Sequence, residues 1–174
     1  HRVALCDRMI SMKKTVTLGM LTAIAMVFGY VESIIPLPVG IPGIKLGLAN
    51  IIILFVIYRY GIREASLVSV ARIVLSGLMF TGMWSILYGI SGTVCAIMVM
   101  SLAKFRLKLS VITVSVLGAM AHISGQMVVA GLNVGFGPVA GYALYLLLAS
   151  VIFGAIIGTI SAILIRRVID TENV

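Results

Sequence analysis

Charged residues and glycine–proline punctuation divide this chain into six apolar stretches, most of them close to the length that crosses a bilayer. A membrane-spanning helix needs about 20 mostly apolar residues, because the hydrocarbon core is about 30 Å thick. The second stretch is the shortest, and it starts earlier or bends near Pro42 and Gly43. The sequence therefore predicts an all-α membrane protein with six transmembrane helices, at residues 15–35, 46–60, 62–80, 84–103, 109–131 and 141–165.

The composition excludes a soluble enzyme domain, a disordered tail and a secreted disulfide scaffold. Hydrophobic residues make up 61% of the 174 residues and charged residues only 10%, whereas soluble domains are about 45–50% apolar and about 25% charged. A net charge of +8 would suggest nucleic acid as the partner of a soluble chain, but here it marks the ends of spans, and no nucleic-acid partner is expected. Cys6 and Cys95 lie in different settings and predict neither a disulfide nor a metal site; no cofactor is predicted.

The distribution of basic residues predicts the topology. Of the 13 lysines and arginines, 11 fall before the first span, between the second and third, between the fourth and fifth, or after the sixth. By the positive-inside rule both termini are cytoplasmic. The two exceptions are Lys45, on the outer side, and Arg72, inside a span.

The chain is predicted to be one domain. Met12-Lys13-Lys14 resembles a natural start, so residues 1–11 are interpreted as a tail without function, and residues 12–174 as a single six-helix transmembrane domain. The first span lacks a small-residue cleavage site and is expected to be retained. Residues 36–43 form an apolar, proline-rich outer loop, which is either a lid or a segment that packs on the bundle.

Polar groups on four predicted spans lie at overlapping depths in the outer half of the membrane. Arg72 is ten residues beyond Ile62, about 15 Å into the membrane, and His122 and Gln126 share a helix face because they are four residues apart. Ionisable groups at such depths usually face a partner or a cavity. The alternatives are a structural Arg72–Glu32 ion pair, an Asn50 that only bonds between helices and a Lys45 that reaches the headgroups. The predicted substrate-binding residues are Glu32, Lys45, Asn50, Arg72, His122, Gln126 and Asn133.

Small residues recur four apart on the first and sixth spans, a spacing that lets helix backbones approach closely. Gly154 and Gly158 on the sixth span are interpreted as internal packing. The first span carries two pairs, Gly19 with Ala23 and Ala25 with Gly29, and has little else to pack with.

Several of these residues belong to recognisable motifs. The run ESIIPLPVGIPGIKLGLAN at residues 32–50, then Arg72, GISG at 89–92 and GAMAHISGQ at 118–126 resemble the bacterial membrane family labelled heptaprenyl diphosphate synthase component I, or Gx transporter. Prenyl synthases hold magnesium diphosphate with aspartate-rich clusters. The two aspartates here, Asp7 and Asp170, lie in tails, so the chain is predicted not to be an enzyme.

The chain also resembles the substrate-binding S components of energy-coupling factor (ECF) vitamin transporters. The resemblance implies a protein of the bacterial cytoplasmic membrane that captures a vitamin or cofactor precursor from outside, such as a flavin or a quinone or isoprenoid precursor. Its expected partners are a membrane T subunit and two cytoplasmic ATPases. The family's docking motif on the first helix corresponds to Gly19 and Ala23, or to Ala25 and Gly29.

Two alternatives remain open at the level of sequence. Ser91 and His122, within GISG and AHISG, match motifs of rhomboid serine proteases, but the two residues lie on consecutive, antiparallel spans, and the second span lacks a histidine four residues before Asn50. The other alternative is a membrane accessory subunit linked to prenyl diphosphate or quinone synthesis.

Overall fold

The computed structural model describes residues 2–34 and 47–172. The predicted outer loop at 36–43 and Lys45 lie outside the described residues. In these two described ranges six helices follow one another, and a π-helical turn at Gly77–Thr81 widens the end of the third. The helices are α1 Arg2–Ile34, α2 Asn50–Arg59, α3 Ile62–Ser76, α4 Met83–Phe105, α5 Val111–Val134 and α6 Phe136–Glu172.

The protein is a multi-pass membrane-helical bundle, as the composition predicts. Within the described residues, five segments are long and apolar enough to cross a bilayer: Met12–Glu32, Ile62–Thr81, Met83–Arg106, Val111–Val134 and Phe136–Val168. Large apolar side chains cover the outside of the bundle, and Leu132 and Leu144 are 75% and 70% exposed. An apolar surface of this extent fits lipid rather than water.

Helix α1 is longer than the sequence predicts. It starts at Arg2 and continues without a break past Met12. Residues 2–11, predicted to form a tail, therefore extend the first helix in this structure.

Helix α2 differs from the other five in length and in burial. Its ten residues rise only about 15 Å, roughly half of the hydrocarbon thickness. The six side chains of residues 52–57 are all buried, and the helix contacts α1, α3, α5 and α6. A short helix that is apolar all round is stable in the centre of a bundle, where neighbours cover every face.

Two contacts of α1 fix the direction of the next elements. In the first half of the helix, Lys14 Nζ donates to Glu64 Oε1 of α3 at 2.5 Å. Near its end, the Glu32 carboxylate accepts a hydrogen bond from the backbone N–H of Gly47 at 2.5 Å. Between Gly47 and Glu64 the chain therefore runs back alongside α1, from the level of Glu32 to the level of Lys14. Helix α2 is the helical part of this segment.

Lys104 of α4 anchors the other end of α2. Its ammonium donates to the Ile57 carbonyl at 2.7 Å and lies 4.3 Å from the centre of the Tyr58 ring and 4.6 Å from that of Phe105. A cation is favourable there because the last carbonyls of a helix carry partial negative charge.

Glycines set the close packing of α4, α5 and α6. A Cβ on Gly92 would lie 2.8 Å from the carbonyl oxygen of His122, and one on Gly125 would lie 2.6 Å from that of Ser91. Between α5 and α6, a Cβ on Gly154 or Gly158 would lie 2.9 or 2.8 Å from a backbone Cα. The nearest atoms belong to the backbone, so they cannot move aside as a flexible side chain can. The close contact of Gly154 and Gly158 with α5 agrees with their predicted role in internal packing.

We expect Gly125→Ala to lower the free energy of unfolding by about 1–3 kcal/mol, the usual cost of overpacking. The added methyl group must push α4 and α5 apart at Ser91. Gly141→Ala is the matched control, because a Cβ on Gly141 meets nothing within 4 Å. The thermal midpoint of the purified protein in detergent measures both, and equal midpoints would contradict the close approach.

Candidate functional site

Arg72 lies in the interior of the bundle, ten residues into α3, and is 8% exposed. Its Nη1 atom is 3.6 Å from the point that a Cβ on Gly29 would occupy, so the guanidinium packs on α1 where no side chain intervenes. The Glu32 carboxylate, one turn further along α1, attracts it electrostatically. Arg72 and Glu32, two of the predicted site residues, therefore lie in the same region of the bundle and carry opposite charges.

Glu32 also connects α1 to the start of α2. It is 5% exposed, and its hydrogen bond to Gly47 N–H holds the segment just before the helix. Gly47 has φ of +92°, a conformation that glycine adopts easily. A Cβ there would lie 2.7 Å from the Asn50 side-chain nitrogen, so Asn50 covers this turn, and its Nδ2 has no hydrogen-bond partner within the described chain.

His122 and Gln126 form the second half of the cluster, on α5. They are 4% and 1% exposed, and Gln126 Nε2 lies 3.1 Å from His122 Nε2. The direction of this hydrogen bond depends on the histidine tautomer. Both side chains occupy the space left by the missing side chain of Gly92 on α4, so the predicted shared face is observed.

A small polar cavity joins the α3 and α5 parts of the cluster. Its volume of about 30 Å³ is room for about one or two water molecules, far below the roughly 300–1,000 Å³ of pockets that bind small molecules. We call this space the polar cavity. It is lined by Arg72, Ile73, Ser76, Thr81, Ser85, Gly89 and His122.

Three hydroxyl residues of the polar cavity are absent from the sequence-based prediction. Ser76 is four residues after Arg72, so the helical period itself places it on the same face. Thr81 closes the π-helical turn, and its hydroxyl donates to the Ser76 carbonyl at 3.3 Å. Ser85 follows on α4, directly after Trp84. Irregular π-turns are frequent at functional sites because they change the direction of side chains.

Asn133 does not line the polar cavity. It is exposed at the end of α5, and its side-chain nitrogen lies 3.5 Å from the Tyr88 hydroxyl of α4. Its described role is to connect the ends of these two helices, which differs from the predicted ligand contact.

The two small-residue pairs of α1 lie on different faces. Gly19 and Ala23 are exposed on a helix that packs against α2 and α3. Ala25 is fully buried, and Gly29 faces Arg72. Ala25 and Gly29 are therefore internal packing positions, and the candidate docking surface narrows to Gly19 and Ala23.

The serine of the protease alternative is engaged within its own helix. Ser91 Oγ donates to the Tyr88 carbonyl at 3.0 Å, the contact that serine commonly makes with the preceding turn. A nucleophilic serine instead gives its proton to the histidine. In this structure the Ser91 hydroxyl is directed to the backbone of its own helix.

Comparison with known proteins identifies a family for most of the chain. A sequence profile of the family described as heptaprenyl diphosphate synthase component I matches residues 21–164. No curated protein and no solved structure shows a significant match to the chain.

Proposed function

This chain belongs to the heptaprenyl diphosphate synthase component I family, and we propose that it is the substrate-binding S component of an ECF-type importer. In this proposal it takes up a small vitamin or cofactor precursor across a bacterial cytoplasmic membrane, without catalysing a reaction. The observation that carries the proposal is the buried polar cluster around Arg72 and His122, which sits inside an apolar bundle where polar groups are costly.

The position of the cluster supports a binding role. It joins α1, α3, α4 and α5, so a ligand there would contact most of the bundle at once. Its polar cavity is far too small for a vitamin in the present conformation, and the protein must therefore open before it binds. Pockets between the helices of bundles are common ligand sites.

The proposed topology has six crossings with both ends in the cytoplasm. The end of the bundle that holds Lys14, Glu64 and Lys104 also holds the end of α6, where Val168 packs next to Tyr58. Most of the basic residues of the chain cluster at this end, and such excess positive charge marks the cytoplasmic side. For both ends to lie in the cytoplasm, the segment that contains α2 must be the second of the six membrane crossings.

The exposed pair Gly19 and Ala23 on α1 is the proposed contact with the T subunit. Small side chains let a second helix approach closely in lipid, where van der Waals packing drives association. ATP hydrolysis by two partner ATPases would supply the energy, because this chain contains no Walker motif.

The test is mass spectrometry of small molecules released from the purified protein, combined with affinity capture from native bacterial membranes. We expect a stoichiometric cofactor precursor in the protein fraction, together with a membrane T subunit and two proteins with Walker motifs. Capture of a soluble prenyl synthase without ATPases would overturn the importer proposal.

A second candidate is a membrane accessory subunit of prenyl diphosphate synthesis, and the description of the matched family favours it. The connections at the basic end are short: residues 60–61 join α2 to α3, and residues 106–110 join α4 to α5. Such short turns offer little surface of their own to a soluble enzyme, and the importer is preferred because it also accounts for the buried polar cluster.

A further inference from the structure

A second cavity lies on the other side of α3 from the charge pair. It is a groove of about 240 Å³ between α3 and α4, and we call it the apolar groove. Its wall includes Val70, Val94 and Met98, which are 52%, 51% and 60% exposed, so the groove opens on the outside of the bundle. Val94 is the middle residue of α4, which places the groove at the depth of the lipid chains.

The apolar groove and the polar cavity share one wall, the side chain of Ile73. Ile73 is 5% exposed and packs on Gly89 of α4, where a Cβ would lie 3.0 Å from its Cγ2 atom. The side chain of Ile73 therefore separates the two spaces. Joined, they approach the lower limit of about 300 Å³ for ligand pockets.

Residues that line the two spaces carry buried hydrogen-bonding groups without a described partner. Arg72 Nε and Ser76 Oγ are buried atoms of residues at the polar cavity, and Thr93 Oγ1 is a buried atom of a residue at the apolar groove. Thr93 is only 6% exposed. A buried polar group without a partner costs about 1–3 kcal/mol, and all three groups can donate a hydrogen bond. A ligand with acceptor oxygens at two separated positions would satisfy both sides.

The charges indicate that this ligand is neutral. Glu32 already offsets Arg72, and an unpaired charge brought into a low-dielectric interior is costly. Carbonyl oxygens accept hydrogen bonds without carrying a net charge.

We propose that the two spaces together hold one neutral amphiphile, a ring with two carbonyl oxygens that carries a hydrocarbon chain, as in a lipid-soluble quinone. The ring lies where the two spaces meet, once Ile73 moves and the polar cavity widens, and the chain lies in the apolar groove. The ligand enters sideways from the bilayer. This inference rests on the proposed function and names the substrate class for its binding site.

Fluorescence of the single tryptophan measures this binding directly. Trp84 precedes Ser85, a residue of the polar cavity, and a bound quinone ring quenches a nearby indole. The probe is a dimethoxy-methyl-benzoquinone with a decyl chain, compared with the same ring without the chain. We expect saturable quenching by the chain-bearing probe, with an affinity at least tenfold higher than that of the bare ring.

Two matched variants test the groove. Val94→Phe fills it from the outside, whereas Val128→Phe changes a similarly exposed valine (55%) on α5 that lines neither space. We expect Val94→Phe to weaken binding of the chain-bearing probe about tenfold and to leave the bare ring unaffected. Val128→Phe is expected to change neither affinity.

Thr93→Val removes the hydroxyl while keeping the shape of the side chain. We expect the thermal midpoint to stay the same or rise, because a buried hydroxyl without a described partner is lost, while the probe binds about threefold to tenfold more weakly. A merely structural threonine would not produce this combination.

Equal affinities for the two probes, non-saturable quenching, or equal effects of Val94→Phe and Val128→Phe would overturn the inference, since all three indicate ordinary lipid tails in the groove. The partner capture described above does not depend on the groove. ATPase capture without chain-dependent binding would refute only the substrate class, and chain-dependent binding without ATPases would refute only the importer.

Discussion

Arg72→Leu is expected to abolish retention of the ligand and to lower the thermal midpoint, because the buried guanidinium is attracted by the Glu32 carboxylate. The substitution removes the positive charge that attracts the Glu32 carboxylate, which is 5% exposed. It also removes the donor Nε from the polar cavity.

A double variant separates the structural role of Arg72 from its binding role. Glu32→Gln removes the negative charge, and the amide oxygen can still accept the hydrogen bond from Gly47 N–H. We expect Arg72→Leu combined with Glu32→Gln to recover most of the lost thermal midpoint but none of the ligand. The exposed Arg106 provides the control, since Arg106→Leu should change neither property.

The readouts are the thermal midpoint in detergent and the small molecules released from equal amounts of folded protein. Retention of the ligand by Arg72→Leu would remove Arg72 from the binding site. Recovery of both stability and ligand by the double variant would make the pair a purely structural one, as one reading of the sequence already allows.

The sequence predicted the parts of this protein that depend on composition and helical period. For five of the helices, charge spacing predicted the majority of the helix ends to within a few residues. The four-residue spacing of His122 and Gln126 placed both side chains on one buried face. The depth of Arg72 predicted a partner, and Glu32 attracts it across α1 and α3. These features follow from a rise of about 1.5 Å and a turn of about 100° per residue.

Helix α2 shows why the span boundaries were less predictable. Its apolar run has the hydropathy of a span, but the hydropathy of ten residues does not distinguish a membrane crossing from a helix packed in the centre. The widened turn at residues 77–81 also has no simple sequence signature, so only the structure places Thr81 at the polar cavity.

Asn133 shows that a shared helix face alone does not place a residue in the site. Seven residues after Gln126, it lies on nearly the same face of α5, but it is about 10 Å further along the axis. That distance carries it past the polar cavity to Tyr88. Face and depth must both agree before a polar residue can join a site.

The sequence did contain a signal for the inward face of α1, although the prediction did not use it. Ala25 is seven residues before Glu32, and Gly29 is three residues before it, so all three share one face of the helix. An acidic side chain in a span points inward, which turns Ala25 and Gly29 inward as well. Gly19 and Ala23 lie on another face and remain exposed.

Ala23→Leu is expected to abolish capture of the T subunit and the ATPases, with at least a hundredfold loss of recovered complex. Leucine adds three carbons where two helix backbones must approach closely, and close packing is the main attraction between helices in lipid. Because Ala23 is exposed, the same change should leave the thermal midpoint and ligand retention unaltered. Gly19→Leu, on the same face, should act in the same way.

Ala140→Leu is the matched control, since Ala140 is also exposed but lies near the start of α6. Ala25→Leu tests the opposite face: Ala25 is fully buried, so we expect a lower thermal midpoint rather than a selective loss of partners. Affinity capture from native membranes, normalised to folded protein, distinguishes the two results. Undiminished capture by both Ala23→Leu and Gly19→Leu would exclude the exposed face of α1 as the docking surface, because a leucine at either position blocks the close approach on which that surface depends.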